Sequence, residues 1–271
     1  MNRLTKRKII SSLYLISLLL LISLTSCLIV EPIEHISNTD FPARESFSYD
    51  IAIRKQKQIV IEGVNGSISI IGEPACSMVK IWGERIVKSD NYEDARAHLK
   101  SLKVQISDKI DKISVETEQP TVTYGRNYQV IYNIIIPDNW DVEIENVNGE
   151  VAIDSLNGDI CVELVNGNVI LREILGNIDL GVTNGQVYGK VTLPIEGFCR
   201  INAVNGQIQL SIPKTTSAEF DAKVTNGTIN VSNLMLKNMV SSRKSVSGIL
   251  GSGQGLIHVE TVNGMISVSG F

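Results

Sequence analysis

The sequence predicts an all-β fold, a single-stranded parallel β-helix (β-solenoid) with Asn-Gly corners and one short capping helix. Glycines at positions 149, 158, 167, 176 and 185 recur every nine residues, and asparagine precedes four of these five. Apolar residues, often β-branched, stand two and four positions after the glycines, with Gly189 as the exception, whereas the intervening positions are mostly polar. This alternation is typical of short strands with one buried face. A fixed short period is typical of repeat architectures.

The Asn-Gly dipeptides have two interpretations. As two-residue type I′ turns they would form hairpins, and the residue before Asn would then face the residue after Gly. These residues are apolar and polar respectively, as with Val147 and Glu150 or Val165 and Asn168. A corner that bends the chain without reversing it avoids this mismatch, and two units would then form a coil of about eighteen residues. An antiparallel β-sandwich is the alternative fold.

Residues 1–26 are predicted to be a lipoprotein signal peptide. Basic residues at positions 3 and 6–8 precede an uncharged, leucine-rich segment from Ile9 to Leu24, which is the arrangement of secretory signals. The segment ends in Leu24-Thr25-Ser26-Cys27, which resembles a bacterial lipobox, so Cys27 would become the lipid-modified N-terminus. An uncleaved anchor helix over Ile9–Val30 is the alternative. Both interpretations place the remaining chain outside the cytoplasm, held at the membrane.

Three segments follow the signal. Residues 27–40 lack the repeat and are interpreted as a tether. Residues 41–140 are predicted to be a β-rich N-terminal cap segment with a helix at about 91–102, for which Asp90 is the candidate N-cap. Residues 141–271 are predicted to be the solenoid repeat segment, in which the serine- and glycine-rich stretch 233–255 is an exposed loop.

Composition argues against several classes of function. The net charge of −4 gives no basic bias for nucleic acid, and aromatic residues, at 5%, offer few stacking platforms. The three histidines and the three cysteines beyond Cys27 lack metal-ligand spacing, so no metal or cofactor is expected. Each repeat has a single glycine and no fixed aspartate, unlike calcium-binding nonapeptides. The many acidic residues are interpreted as a solvated surface.

Three stretches of the chain form an ordered set. They are the helix with its following strands up to Pro137, the Val-Asn-Gly and Thr-Asn-Gly units from 147 to 227, and the segment from Gly248 to Val268. Together they resemble the DUF4097 family, whose members are labelled adhesins and are related to bacterial head-GIN-type domains. The resemblance covers residues 45–271 and departs from the family in the long 233–248 loop. It implies a β-helical fold and an envelope location, and it implies no catalytic residues.

We therefore expect a non-enzymatic, lipid-anchored cell-envelope protein that presents a β-solenoid for adhesion, binding or scaffolding. The candidate binding surface is a set of outward residues directly after the glycines: Glu150, Asp159, Asn168, Gln186 and Gln207. An envelope protein or a glycan is the expected partner. One alternative is an envelope-polysaccharide-acting enzyme, although Arg172 and Arg200 are the only arginines of the central coils. The other is an envelope-stress regulatory partner.

Overall fold

The computed structural model describes residues 41–271. The predicted signal peptide (1–26), the lipidation site Cys27 and the tether (27–40) lie outside the described residues. Within 41–271 the chain forms a mostly parallel, solenoid-like β-sheet of nineteen strands. The predicted all-β, solenoid-like architecture is thereby confirmed, and the parallel pairing rules out the antiparallel sandwich for this part of the chain.

Short turns connect most of the strands. The strands are β1 (Phe41–Ala52), β2 (Gln58–Glu62), β3 (Ile68–Glu73), β4 (Met78–Ser89), β5 (Lys103–Asp108), β6 (Lys112–Glu118), β7 (Asn127–Pro137), β8 (Asp141–Asn148), β9 (Val151–Asp154), β10 (Ile160–Asn166), β11 (Val169–Leu175), β12 (Ile178–Asn184), β13 (Val187–Thr192), β14 (Phe198–Asn205), β15 (Ile208–Ile212), β16 (Ala218–Ser232), β17 (Leu236–Ser241), β18 (Ser245–Leu250) and β19 (Gly255–Gly270). Helix α1 comprises Tyr92–His98 and continues as a 3-10 turn over Leu99–Ser101.

Two parallel stacks of strands make up most of the sheet. In the first stack the neighbouring strands are β6, β2, β8, β10, β12, β14, β19 and β16. In the second stack they are β7, β3, β9, β11, β13, β15, β19 and β16. The long strands β16 and β19 run through both stacks. The chain thus contributes alternately to one stack and the other, which is the course of a solenoid.

The core is built from aliphatic side chains at equivalent positions of successive coils. In the second stack the register aligns Val151, Val169, Val187, Ile208 and Ile266, each of which is fully buried. Side chains alternate between the two faces of a strand, so one apolar position in each repeat is enough to build such a column. Burial of each aliphatic side chain contributes roughly 1.5–3 kcal/mol to stability.

An early pair of strands and the last strand of the chain insert between other strands of the stacks. Strands β2 and β3 lie between β6 and β8 and between β7 and β9, respectively. Strand β19 lies between the β14–β15 coil and β16. The predicted boundary at residue 140 therefore does not coincide with a break in the sheet, because the early Asn65-Gly66 unit stacks directly on the later ones.

Antiparallel pairs dominate the N-terminal end of the sheet, where β5 joins β6 and β4 joins both β1 and β7.

Helix α1 is shorter than predicted, and its N-cap is Asn91 rather than Asp90, because the Asn91 side chain accepts a hydrogen bond from Asp94 N at 2.8 Å. The Asp94 carboxylate in turn accepts hydrogen bonds from Nε and Nη2 of Arg126, both at 2.7 Å, and from the Ser89 hydroxyl. The Arg126 hydrogen bonds, with that of Ser89, hold the pKa of Asp94 well below its usual range.

The prediction of an exposed loop at 233–255 is wrong for much of that segment. Strand β18 pairs antiparallel with β16, and β17 pairs antiparallel with β18. The serines and glycines suggested a loop, but Leu250 is buried and Leu236 and Val246 pack against the core. These apolar side chains, together with the paired backbone, keep the segment in the sheet.

The cysteines form no disulfide within residues 41–271; Cys199 is buried, and Cys76 and Cys161 are half-buried. Burial raises the pKa of the Cys199 thiol to about 12, so this thiol stays protonated at neutral pH. No helix in this part of the chain is long and apolar enough to span a bilayer.

Candidate binding surface

Four of the five predicted surface residues lie in one row along the second stack. Glu150, Asn168, Gln186 and Gln207 directly follow the glycines of successive coils; we call these four residues the polar row. The carbonyls of Asn168, Gln186 and Gln207 each accept a hydrogen bond from a backbone N–H of the neighbouring coil at 2.9 Å. The donors are Val151, Val169 and Val187, respectively. The members therefore follow one another at the spacing of neighbouring strands, roughly 4.8 Å.

Part of the polar row is held in place by its own side chains. The Asn168 Oδ1 atom accepts the backbone N–H of Gln186 at 3.0 Å, and the Gln186 Oε1 atom contacts the Tyr188 hydroxyl. Glu150 and Gln186 are exposed, whereas Asn168 and Gln207 are half-buried. The row thus offers amide and carboxylate groups to solvent from a fixed backbone.

Asp159 does not belong with the other four residues. It follows Gly158, which stacks with Gly176 and not with the glycines that precede the polar row. Asp159 therefore lies in a separate column with Asp141 and Asn177. Its Oδ1 atom accepts both the backbone N–H and the side-chain amide of Asn177, each at 3.0 Å. These hydrogen bonds give Asp159 a structural role between coils.

A ladder of asparagine side chains runs directly beside the polar row. In each step, the Nδ2 atom of one coil donates to the Oδ1 atom of the neighbouring coil at 2.6–2.9 Å. The asparagine ladder comprises, in order, Asn65, Asn148, Asn166, Asn184, Asn205, Asn263 and Asn226. At its first member, the Asn65 Nδ2 atom donates to the Tyr128 carbonyl at 3.0 Å. The ladder fixes the spacing of the coils at the base of the polar row.

The glycine after each ladder asparagine lets neighbouring coils approach closely. At Gly185 the backbone has φ +153°, and a Cβ atom would lie 1.6 Å from the Gly167 carbonyl oxygen. No side chain fits such a contact, and the positive φ disfavours any L-residue. Glycine at this position is therefore required by the stacking itself.

An open polar cleft adjoins Glu150 at the N-terminal end of the polar row. Its volume is about 490 Å³, and the polar residues that line it include Asn65, Lys88, Asn127, Gln129, Asn148 and Glu150. Lys88 and Asn127 face each other across the β4–β7 pair. Both come from the antiparallel strands, where the nine-residue period carries no information. The repeat therefore gives no signal for Lys88, Asn127 and Gln129.

Acidic side chains form a separate column on the first stack. Glu116, Glu62, Glu145 and Glu163 occupy equivalent positions on the adjacent strands β6, β2, β8 and β10, and we call them the acidic column. Partial burial, reinforced by the charges of Glu62 and Glu143, raises the pKa of Glu145. This end of the molecule therefore carries concentrated negative charge.

Within residues 41–271 no group of three or more His, Cys, Asp or Glu side chains is arranged to hold a metal ion. Burial raises the pKa of the Tyr132 hydroxyl to about 12, as it does for the Cys199 thiol. The Tyr132 hydroxyl is hydrogen-bonded to Thr117 Oγ1 at 2.8 Å. The Tyr132 and Cys199 side chains both lie inside the core.

These features define an all-β, solenoid-like protein with a regular polar surface. The chain matches the family described as Toastrack DUF4097 over residues 55–269, and it belongs to that family. The family resemblance of the sequence is thereby confirmed.

Several solved structures are similar to this chain. One is "a putative cell adhesion protein" from Clostridium sporogenes, with 13% identity, 84% of this chain and 100% of that chain covered, and a TM-score of 0.45. Another is "a putative adhesin" from Bacteroides fragilis, with 10% identity, 84% and 97% coverage, and a TM-score of 0.33. A third, from Parabacteroides distasonis, is described as a "Putative lipid binding protein", with 11% identity, 87% and 96% coverage, and a TM-score of 0.26. No significant match exists among curated proteins.

Proposed function

We propose that this protein is a non-enzymatic adhesion or binding protein of the bacterial cell envelope, anchored in the membrane by lipid on Cys27. The observation that carries the proposal is the polar row, whose hydrogen-bonding groups repeat at strand spacing beside the asparagine ladder. A repeating glycan or an extended protein segment presents hydrogen-bonding groups at regular intervals, so either could contact several members at once. Several weak contacts made together give avidity that single contacts lack.

In this proposal the Asn-Gly dipeptides are the corners of a single-stranded parallel β-helix. The paired amides and the close glycine contacts support this role, because both act between equivalent positions of neighbouring coils. Residues 41–140 act as a cap that covers apolar side chains at one end, as solenoids require. Residues 27–40 form the tether between lipid and solenoid.

Fractionation of the full chain in its native cells tests the anchor. Cys27→Ser should move the protein from the membrane fraction to the soluble extracytoplasmic fraction, since the acyl chains would be lost. Retention of the variant in the membrane fraction, with extraction by detergent alone, would favour the uncleaved anchor helix instead.

Binding assays with the chain from Leu28 onward test the polar row. Every strand pairing and buried residue described above lies within residues 41–271, and this region belongs to one compact unit, Ser37–Phe271. The double variant Glu150→Ala/Gln186→Ala should lose binding to envelope glycans or to an envelope protein. A matched substitution, Asn202→Ala, removes an exposed polar group from the first stack and should leave binding unchanged.

The outcome also separates the alternatives. A glycan that binds wild type but not Glu150→Ala/Gln186→Ala supports adhesion. A protein partner with the same dependence on the polar row supports scaffolding or a role in envelope-stress regulation. Turnover of an envelope polysaccharide by the wild-type chain would establish the enzyme alternative. Equal binding by wild type and by Glu150→Ala/Gln186→Ala would contradict the proposed surface.

A further inference from the structure

The end of the sheet opposite α1 carries an unusual combination of charge and apolar exposure. We define the terminal hairpin as residues 233–250, which contain β17 and β18. Between Asp221 and Glu260 there is no acidic residue, whereas Lys223, Lys237, Arg243 and Lys244 are basic. This stretch has a net charge of +4, in a chain whose total is −4.

Three cations of this stretch are open to solvent. Lys223 is paired with Asp221 at 2.6 Å, so its charge is largely offset. Lys237, Arg243 and Lys244 are exposed, and within residues 41–271 no carboxylate lies within ion-pair distance of them. Lys237 donates to the Gly251 carbonyl at 2.8 Å, which holds its ammonium group near the hairpin.

Exposed apolar side chains lie among these cations. Met235 is 90% exposed, Val240 67% and Met239 57%. Strand β17 pairs with β18, and the hairpin is fixed to the body through Leu250, Leu236 and Val246. The exposed methionines and Val240 are therefore not needed for internal packing.

We propose that the terminal hairpin docks onto an anionic phospholipid membrane surface. Lys237, Arg243 and Lys244 would contact lipid phosphates, and Met235, Met239 and Val240 would enter the boundary between headgroups and acyl chains. Adjacent cations and apolar side chains are the combination that binds such interfaces. This contact is separate from the polar row and does not depend on lipid at Cys27.

Two other occupants fit the hairpin less well. A soluble anionic polymer would satisfy the cations but leave the apolar side chains in water. A second copy that docked hairpin against hairpin would bring like charges together. A second copy could instead bind the hairpin through its acidic column. Measurements of self-association distinguish that arrangement from membrane binding.

Vesicle co-sedimentation of the chain from Leu28 onward, which lacks Cys27, tests the proposal. Wild type should sediment with phosphatidylcholine vesicles that contain phosphatidylglycerol, and weakly with phosphatidylcholine alone. Arg243→Gln/Lys244→Gln should weaken partitioning at least ~10-fold, since each cation near an anionic surface contributes about fivefold. Met235→Ser/Val240→Ser should weaken it by a similar factor, because the transferred apolar surface is lost.

A matched control lies in the β5–β6 turn. Ile110 is 81% exposed, and Lys109 and Lys112 alternate with Asp108 and Asp111, of which Asp108 also pairs with Arg54. Lys109→Gln/Ile110→Ser makes the same kind of change in a turn of mixed charge and should leave partitioning unchanged. Circular dichroism verifies that all variants are folded.

Three results would overturn the proposal. The first is no preference of the wild type for anionic vesicles. The second is partitioning that survives Met235→Ser/Val240→Ser, accompanied by equal binding to a sulfated polysaccharide. The third is salt-sensitive self-association without vesicle binding, abolished by Arg243→Gln/Lys244→Gln, which would identify a second copy as the occupant.

Discussion

The Asn166 side-chain amide donates to Asn148 Oδ1 at 2.8 Å, and the two residues are separated by 18 positions in the sequence. They occupy the same register position on the paired strands β10 and β8. The same contact recurs from Asn65 to Asn226, so a local Asn-Gly unit becomes a continuous ladder. The sequence period and the coil-to-coil hydrogen bond are therefore two expressions of one repeat.

Asn166→Ala tests the energetic role of the asparagine ladder. The substitution removes the donor to Asn148 and the acceptor of the Asn184 amide. Loss of two partly exposed hydrogen bonds should lower the free energy of unfolding by about 1–2 kcal/mol. Urea unfolding followed by circular dichroism measures the change. Asn202→Ala, at an exposed asparagine of β14 outside the ladder, should change stability by less than about 0.5 kcal/mol; equal effects would show that the ladder adds nothing.

Gly185→Ala tests the close approach of neighbouring coils. The new Cβ atom would lie 1.6 Å from the Gly167 carbonyl oxygen, in a backbone with φ +153°. We expect a loss of more than about 3 kcal/mol, because the coils must separate and the asparagine ladder is disturbed. Gly189→Ala on the same coil is the control, since its nearest contact is the movable Leu210 Cδ1 atom at 3.2 Å. Similar melting temperatures for the two variants would contradict the stacking described here.

Asp94→Asn tests the ion pair that fixes helix α1. The Asp94 carboxylate, whose side chain is 26% exposed, receives two hydrogen bonds from Arg126. Because the folded-state pKa is depressed, the pair stabilises the fold above the ordinary aspartate pKa of about 3.9. That stabilisation is lost progressively as the pH falls from there toward the folded-state pKa. At neutral pH Asp94→Asn should cost about 1–3 kcal/mol.

The difference in melting temperature between Asp94→Asn and wild type should therefore shrink as the pH is lowered below about 4. Glu118→Gln is the control, because the Lys103–Glu118 pair is about half exposed on both sides and screened by solvent. A pH-independent difference for Asp94→Asn would contradict a carboxylate with a depressed pKa.

Periodicity predicted the repetitive part of the fold well, for a physical reason. In residues 142–212 every coil repeats the same inward positions, such as Val169 and Val187, so alternation alone identifies the buried face. The same periodicity aligned Glu150, Asn168, Gln186 and Gln207 into one row. It also placed Asp159 with them, because a nine-residue period does not distinguish the two corners of an eighteen-residue coil.

The remaining features depend on contacts between segments that are distant in the sequence. The insertion of β19 between β15 and β16 follows no local pattern, because either order of the coils would satisfy the repeat. The serines and glycines of residues 233–255 favour a loop, yet pairing with β16 makes β18 a strand. Lys88 and Gln129 reach the cleft beside Glu150 through the antiparallel β4–β7 pair, where the repeat is absent.

Site-specific photocrosslinking in native cells tests the polar row as the contact surface most directly. A photoreactive amino acid would replace Gln186 in the full chain, and in parallel Asn202, which is exposed on the first stack. The account predicts a discrete adduct with an envelope protein or glycan from position 186, and none from position 202. Absence of an adduct at position 186, or equal adducts at both positions, would contradict it.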